Sequence, residues 1–145
     1  VSHVYQIGMR DLNYLVTNSL NCTNTKLYKV FVGTSPKIGI ATPGNSVSCL
    51  PLSLTFPISY VDSLGNQNPP GTKYTISIND GTPDSVFYHP NPPNLPPSTF
   101  THTFNSPSCG ITNLFLIPNS FHVRIDASNP CFPASNSAAS PIIIS

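Results

Sequence analysis

The sequence predicts an all-β protein, and three observations carry this prediction. Strong helix formers are scarce, whereas Val, Ile, Thr, Tyr and Phe, which favour strands, are common. No stretch places apolar residues at the 3.6-residue spacing of a helix face. Seventeen Pro and eight Gly divide the chain into short segments, and several of these segments alternate apolar and polar residues as half-buried strands do.

Alternation between turn residues places the strands along the chain. Residues 52–60 are apolar at every second position and form the clearest core strand, in which Pro57 indicates an edge or a bulge. Residues 74–78 alternate again and end at the tight-turn tripeptide Asn79-Asp80-Gly81. Further strands are predicted at residues 14–17, 27–32, 37–41, 85–88, 99–104, 114–117, 120–126 and 141–144, with a Pro-rich extended crossing at 89–97 and a turn at 127–137. From residue 37 onward this makes about seven strands, the number expected of an immunoglobulin-like β-sandwich.

The two ends of the chain repeat the same steps in the same order. His3-Val4-Tyr5 corresponds to His102-Thr103-Phe104. The steps that follow in the same order are Tyr14-Leu15-Val16, Asn21-Cys22 and Val30-Phe31-Val32 in the first copy, and Phe121-His122-Val123, Asn129 with Cys131, and Ile142-Ile143-Ile144 in the second. Matches in register of this kind indicate an internal repeat. We therefore predict that residues 1–33 are the last two strands of an upstream module, and that residues 34–145 are a complete module.

These motifs resemble the polycystic kidney disease (PKD) module, an immunoglobulin-like β-sandwich. Its hallmarks are an aromatic-led strand with a Gly-Asp-Gly-type turn, a His-Thr-Tyr-type step and a long alternating strand. Here they correspond to residues 74–78, Asn79-Asp80-Gly81, His102-Thr103-Phe104 and residues 120–126, with Ser77 at the position of the family's usual Trp. The resemblance implies structural roles for Asn79, Asp80, Gly81, His102 and Phe104. The placement of the cysteines is similar to that in the large, repetitive gliding-motility adhesins of Bacteroidetes.

The four cysteines, Cys22, Cys49, Cys109 and Cys131, lie far apart and lack the spacing of a zinc site. Disulfides and buried free thiols both fit such positions. In a sandwich of the type that the resemblance implies, Cys49 would precede the second strand and Cys109 would follow the fifth, at one end, with Cys131 at the other. A Cys49–Cys109 bridge is therefore favoured over Cys49–Cys131, if any bridge forms.

The residues that could support catalysis or bind a metal are few. The carboxylates are Asp11, Asp62, Asp80, Asp84 and Asp126, and Glu is absent. Asp80 and Asp84 fall in one turn region, where a turn-forming role of the side chain outweighs acid–base catalysis. With Asn79 they are weak candidates for binding calcium, because a third acid is missing. The histidines of the His-x-aromatic steps suit a framework role, and no G-x-S-x-G or phosphate-binding glycine loop occurs. We expect neither enzymatic activity nor a cofactor.

The low charge of the chain excludes some partners and suggests a location. Charged residues make up 8% of the sequence and the net charge is +1, against roughly 25% charged residues in an average domain. The six basic residues are scattered, which argues against nucleic-acid binding. No apolar run is long enough to span a membrane. A surface of Ser, Thr and Asn is typical of exported proteins, so we expect an extracellular or cell-surface location.

Together these features predict a non-enzymatic module of an extracellular adhesin filament that serves surface attachment in gliding motility. Its partners would be neighbouring modules of the same polypeptide and extracellular polysaccharide or substratum. The alternative is a spacer or carbohydrate-binding module of a secreted polysaccharide-degrading enzyme. That alternative needs an exposed aromatic platform, whereas Tyr28, Tyr60, Tyr74 and Tyr88 fall mostly at positions predicted to face the core. A self-assembling pilus or capsid subunit is a third hypothesis.

Overall fold

The computed structural model describes residues 2–61 and 64–145. The described residues contain strands, turns and loops but no helix, so the predicted all-β class is confirmed. The strands are β1 (Gly8–Thr17), β2 (Thr23–Val32), β3 (Gly39–Ile40), β4 (Val47–Ser48), β5 (Leu52–Ser59), β6 (Lys73–Ile78), β7 (Ser85–Tyr88), β8 (Thr99–Phe104), β9 (Phe121–Asn129) and β10 (Phe132–Ile144). Among the described residues, no helix is long and apolar enough to cross a bilayer.

The strands form three sheets. Within the described residues, β1 and β2 pair with each other alone, as an antiparallel hairpin. Five strands form a sheet in the order β4-β10-β9-β6-β7, in which β4 runs parallel to β10 and the other pairs are antiparallel. The third sheet has the order β3-β5-β8 and is antiparallel throughout.

The two larger sheets share one hydrophobic core, which gives the chain a sandwich-like architecture. Every second residue of β5 is buried, and the same alternation runs along β9. The core consists of Ile40, Leu54, Phe56, Ile58, Tyr60, Tyr74, Ile76, Phe104, Phe121, Val123, Ile125, Ala127, Ala139, Ile142 and Ile144. Each large side chain among these contributes about 1.5–3 kcal/mol through burial. None of the core residues comes from β1 or β2.

Pro57 lies in a central strand rather than at an edge. The carbonyl oxygen of Pro57 accepts a hydrogen bond from the Ala41 N–H, at 3.0 Å. Because N–H and C=O of one strand residue point to the same side, the missing Pro57 N–H also faces β3. The proline therefore ends the pairing between the two strands at Ile40, opposite Ile58, and explains why β3 is so short.

The predicted strand at residues 114–117 is wrong, because this segment is a tight loop. The side-chain oxygen of Asn113 accepts hydrogen bonds from the N–H groups of Phe115 (2.8 Å) and Ile117 (3.1 Å). Leu116 adopts a left-handed conformation with φ of 61°, which a strand does not permit. A local side-chain cap has therefore replaced the strand pairing that the apolar run suggested.

The last hairpin is longer than predicted. Residues 127–137 were expected to form a turn, but β9 continues to Asn129 and β10 begins at Phe132. Irregularities in the pairing of β10 with β9 lie between Phe132 and Ser135 and between Ala139 and Ile142. Such bulges let a strand continue past proline, and Pro133 and Pro141 each lie within one of them.

The β1–β2 hairpin joins the rest of the chain through a close contact at its base. A methyl group on Gly33 would lie 2.6 Å from the Phe31 ring and 2.8 Å from the Pro69 ring, so only glycine fits there without a shift. The Asn129 side chain donates to the Thr34 carbonyl oxygen at 2.8 Å. The segment that follows the hairpin is therefore held against the sandwich.

Candidate functional site

The turn that ends β6 is built by its own side chains. Asp80 Oδ1 accepts hydrogen bonds from the backbone N–H of Thr82 (3.0 Å) and from its hydroxyl (2.6 Å). Gly81 has φ of +90°, a conformation that side chains disfavour. The Asn79 side-chain oxygen accepts from the His122 N–H at 2.7 Å, which ties the turn to β9.

The structure brings Asp80 and His102 together across the sandwich. Asp80 Oδ2 lies 2.7 Å from His102 Nε2, and their side chains are 4% and 14% exposed. Burial raises the pKa of Asp80, but the hydrogen bonds from Thr82 and His102 outweigh burial and leave the pKa below its usual value. The ionised carboxylate can only accept, so His102 Nε2 donates the hydrogen.

His102 and Phe104 belong to a column of rings between the sheets. The rings of His102 and Phe104 meet edge to face with centroids 4.7 Å apart. Phe104 is fully buried and stacks on Phe121 of β9 at 5.4 Å, while Phe100 stacks on the other side of His102 at 6.3 Å. This packing fixes the orientation of the imidazole that reaches Asp80.

The two carboxylates proposed for calcium differ in their surroundings. Both oxygens of Asp80 are already hydrogen-bonded, to Thr82 and to His102. Asp84 is exposed and forms no hydrogen bond or ion pair with another described residue. In the described part of the chain, no three His, Cys, Asp or Glu side chains are grouped so as to hold a metal ion. Asp62, another carboxylate, lies outside the described residues.

All four cysteines are free and exposed. Cys49 Sγ lies 3.8 Å from the hydroxyl of Ser145, just beyond the end of β10. Ser108, the neighbour of Cys109, donates its N–H to the Ile144 carbonyl oxygen at 3.0 Å. Both predicted bridge partners thus lie near the same end of β10, and the Cys49–Cys109 bridge stays a prediction.

A second polar cluster lies under the base of the hairpin, and sequence reasoning did not single it out. Asn68 accepts from the Lys37 N–H (2.8 Å) and donates to the Lys37 carbonyl oxygen (2.6 Å) and to Tyr74 Oη (2.9 Å). The double contact with Lys37 fixes the amide orientation, so Tyr74 Oη accepts from Asn68. The hydroxyl hydrogen of Tyr74 is then left for His89 Nδ1, at 2.8 Å.

This arrangement defines the chemical state of His89. Because Nδ1 accepts, the ring is neutral and carries its hydrogen on Nε2. His89 is buried, and this burial lowers its pKa. Burial also raises the pKa of Tyr74 to about 12, so the hydroxyl keeps its hydrogen at neutral pH. The only signal in the sequence is that Asn68 and His89 each stand directly before a proline.

The tyrosines divide into buried and exposed groups. Tyr60 and Tyr74 lie in the core, as predicted. Tyr28 and Tyr88 are 44% and 61% exposed, so the prediction that they face the core is wrong. Tyr28 belongs to the hairpin, which has no sheet packed on it among the described residues, and Tyr88 ends the edge strand β7.

No protein-family model matches the chain, and no curated protein is similar enough to count as a relative.

Proposed function

We propose that this chain is a section of an extracellular adhesin filament made of tandem immunoglobulin-like modules of the PKD type. On this proposal it serves cell-surface attachment in gliding motility and catalyses no reaction. Residues 34–145 form one module, and residues 1–33 supply the last two strands of the module before it.

The strand order supports an immunoglobulin-like identity for residues 34–145. In such folds strands A, B and E form one sheet, while G, F and C form the other, with a C′ strand added in some types. The sheet β3-β5-β8 corresponds to A-B-E, and β10-β9-β6-β7 corresponds to G-F-C-C′. The short β4, parallel to β10, then corresponds to a first strand that crosses from one sheet to the other.

The observation that carries the proposal is the likeness of the two long hairpins. In the first hairpin Asn18, rather than the Asn21 of the sequence match, caps the turn, and its side-chain oxygen accepts from the N–H groups of Leu20 and Cys22, both at 2.9 Å. Asn129 ends β9, and its side-chain oxygen accepts from the N–H groups of Cys131 (3.0 Å) and Phe132 (3.1 Å). Each hairpin thus has an Asn that caps a turn containing a Cys.

Counting back from the two asparagines gives matching faces. Val16, Tyr14 and Leu12 stand two, four and six residues before Asn18. The same positions before Asn129 are Ala127, Ile125 and Val123, all of which are fully buried. The β1 residues are 47%, 58% and 37% exposed. The hairpin therefore presents the face that would lie inside a sandwich, and no second sheet formed by the described residues covers it.

The His-x-aromatic steps are alike in geometry as well as in sequence. The rings of His3 and Tyr5 meet edge to face at 4.5 Å and 71°. Those of His102 and Phe104 meet at 4.7 Å and 82°. The first pair stands before β1 in chain order, as the second stands before β9, which supports the division at residues 33 and 34.

The outer face of the β3-β5-β8 sheet suits contact with polysaccharide or substratum. Ser53 and Thr55 of β5 pair with Thr103 and Thr101 of β8, and the hydroxyls of each pair are within hydrogen-bond distance, at 3.2 and 2.9 Å. These four residues are exposed and uncharged. Such a face offers many hydrogen-bonding groups with little non-specific charge attraction.

Hydrogen exchange of the 145-residue chain tests the half-module. An isolated two-stranded hairpin is at best marginally stable in water, so amides of β1 and β2 should exchange far faster than those of β9 and β10. Equal protection of the two hairpins in a monomer would contradict the proposal that residues 1–33 belong to an upstream module. The full-length reading frame should also encode further copies of the Asn-capped hairpin and of the His-x-aromatic step. A single copy of each would refute the proposed filament of tandem modules.

Labelling of cells tests the location and the role. Antibodies raised against this chain should label intact cells, and should block attachment and gliding on glass or agar. Labelling that appears only after the cells are permeabilised would refute an extracellular adhesin.

One observation favours the alternative of a carbohydrate-binding module. Tyr14 and Tyr28 lie on the same face of the hairpin, because Leu12 pairs with Tyr28 and Tyr14 pairs with Lys26. Both rings are exposed, and Lys26 Nζ lies 5.2 Å from the centre of the Tyr28 ring. Glycan-array binding that is selective for one sugar, and is lost in Tyr14→Ala, would establish this function instead.

A further inference from the structure

A cleft lies beside His89, where the segment before β1 meets the Pro-rich crossing. Its walls are the prolines at 69–70 and 92–93 together with Leu95, and its volume is about 340 Å³. Sites for small molecules begin at roughly this size and are mostly apolar with a few placed polar groups. The cleft therefore has the dimensions and the walls of a small binding site.

One ring nitrogen of His89, which lines the cleft, has no hydrogen-bond partner among the described residues. His89 is 6% exposed, and its Nδ1 accepts from Tyr74 Oη, which leaves a hydrogen on Nε2. Nε2 makes no hydrogen bond to another described residue. Because every fully buried side-chain nitrogen or oxygen in the described part of the chain has a partner, Nε2 is not fully buried. Since His89 lines the cleft, Nε2–H is a donor that is reached from the cleft.

The remaining polar groups in the cleft are uncharged. Gln67, Asn68 and Asn94 contribute amides, and none of the lining residues is an Asp, Glu, Lys or Arg. An ionic ligand would lose its hydration without gaining a counter-charge. The chemistry suits a neutral molecule with one apolar face and hydroxyl oxygens at its edge.

We propose that this cleft binds a neutral sugar residue of an extracellular polysaccharide. The C–H face of the sugar ring packs on the proline rings and Leu95, a hydroxyl oxygen accepts from His89 Nε2–H, and the amides of Gln67 and Asn94 bind neighbouring hydroxyls. Asn68 and Tyr74 are positioning residues, because they hold His89 in the tautomer that donates. The biological meaning of the site rests on the attachment role proposed above.

Nuclear magnetic resonance of the labelled 145-residue chain tests the site directly. The probes are neutral gluco-, manno- and xylo-oligosaccharides. Acidic alginate oligosaccharides and a Pro-rich peptide are tested separately, as examples of other ligand classes. A neutral oligosaccharide at up to about 10 mM should shift the His89 Nε2–H resonance and the amides of Gly71 and Asn94 with a Kd near the millimolar range. No shift with any neutral probe, or a shift with the peptide alone, overturns the proposal.

A matched pair of variants separates binding from folding. Leu95 is 69% exposed, so Leu95→Asp should fold normally while placing a carboxylate against the apolar face of the sugar, which weakens binding by about 10-fold or more. Leu20→Asp, at a residue 81% exposed in the β1–β2 turn, is the control and should bind as the parent does. Equal affinity of the two variants refutes the cleft as the site.

The outcome for the cleft is separate from the outcome for the adhesin. Sugar binding at His89 without surface labelling of cells would keep the site and refute the attachment role. Labelling and blocked gliding without sugar binding would keep the attachment role and refute the cleft.

Discussion

Replacing Asp80 by Asn isolates one interaction in the sandwich, the contact between Asp80 Oδ2 and His102 Nε2. The Asn oxygen can still accept from the Thr82 N–H and hydroxyl, so the turn keeps its own hydrogen bonds. The new side chain carries no negative charge, so the charge-assisted contact with His102 Nε2 is lost. The change therefore removes the charge-assisted hydrogen bond between the β6 turn and β8 and leaves the local turn intact.

The expected cost follows from the burial of the pair. The Asp80 side chain is 4% exposed and that of His102 is 14% exposed. A hydrogen bond to a charged group contributes about 1.5–3 kcal/mol to stability. At roughly 2–4 °C per kcal/mol for a chain of this length, the melting temperature should fall by roughly 3–12 °C.

Urea unfolding at pH 7 measures the loss, with Asp84→Asn as the matched control. Asp84 is exposed, four residues from Asp80, so the control should change the free energy of unfolding by less than about 0.5 kcal/mol. A double-mutant cycle with His102→Phe, which keeps a ring in the column, should give a coupling energy of about 1–2 kcal/mol. Equal stability of Asp80→Asn and Asp84→Asn would refute the reasoning.

The same contact sets a dependence on acid. The pKa of Asp80 in the folded chain lies below its ordinary value, so the unfolded chain binds the proton first as the pH falls. The contribution is complete above that value and is lost as the pH falls through the folded pKa. The difference between the parent and Asp80→Asn should therefore shrink below about pH 4, and a constant difference would contradict this account.

Further predictions concern the core, calcium and mild acid. Phe104→Ala should cost about 3–5 kcal/mol in urea unfolding, because Phe104 is fully buried. Phe115→Ala, at a residue 56% exposed, should cost far less, and similar losses would contradict the assigned core. Millimolar calcium should leave the melting temperature unchanged, whereas a rise that Asp84→Asn abolishes would establish the metal site. Burial lowers the pKa of His89, so the unfolded chain binds its proton first and stability should fall as the pH drops below 6.5. His122 has a lowered pKa as well, so the dependence of stability on pH is measured in the His122→Gln variant. Stability that does not change with pH in this variant would refute the neutral state of His89.

Strands with strong alternation were predictable from the sequence. The predicted strands at residues 52–60 and 74–78 correspond to β5 and β6. A strand in one of two packed sheets buries every second side chain, and this pattern can be read from neighbouring residues. The strand predicted at residues 114–117 does not form, because its local pattern was not informative. A short apolar run does not reveal that Asn113 caps its backbone.

The candidate sites were predictable only in part. Asp80 and His102 each belong to a recognisable motif, but their contact joins residues 22 positions apart. The cluster of Asn68, Tyr74 and His89 had almost no local signal, since each residue is unremarkable in its own segment. Side chains that bond across strands depend on which strands become neighbours.

Composition and alternation by themselves determined that this chain is all-β, that alternate side chains of residues 52–60 and 74–78 enter its core, and that a turn forms at Asp80. These properties depend on residues that are close in sequence, through backbone preference and the burial of alternate side chains. Only the tertiary structure decided that Asp80 reaches His102, that Pro57 ends the pairing of β3, and that the β1–β2 hairpin has no sheet over its apolar face within the described residues. Strand order and sheet packing, which no single segment encodes, set these contacts.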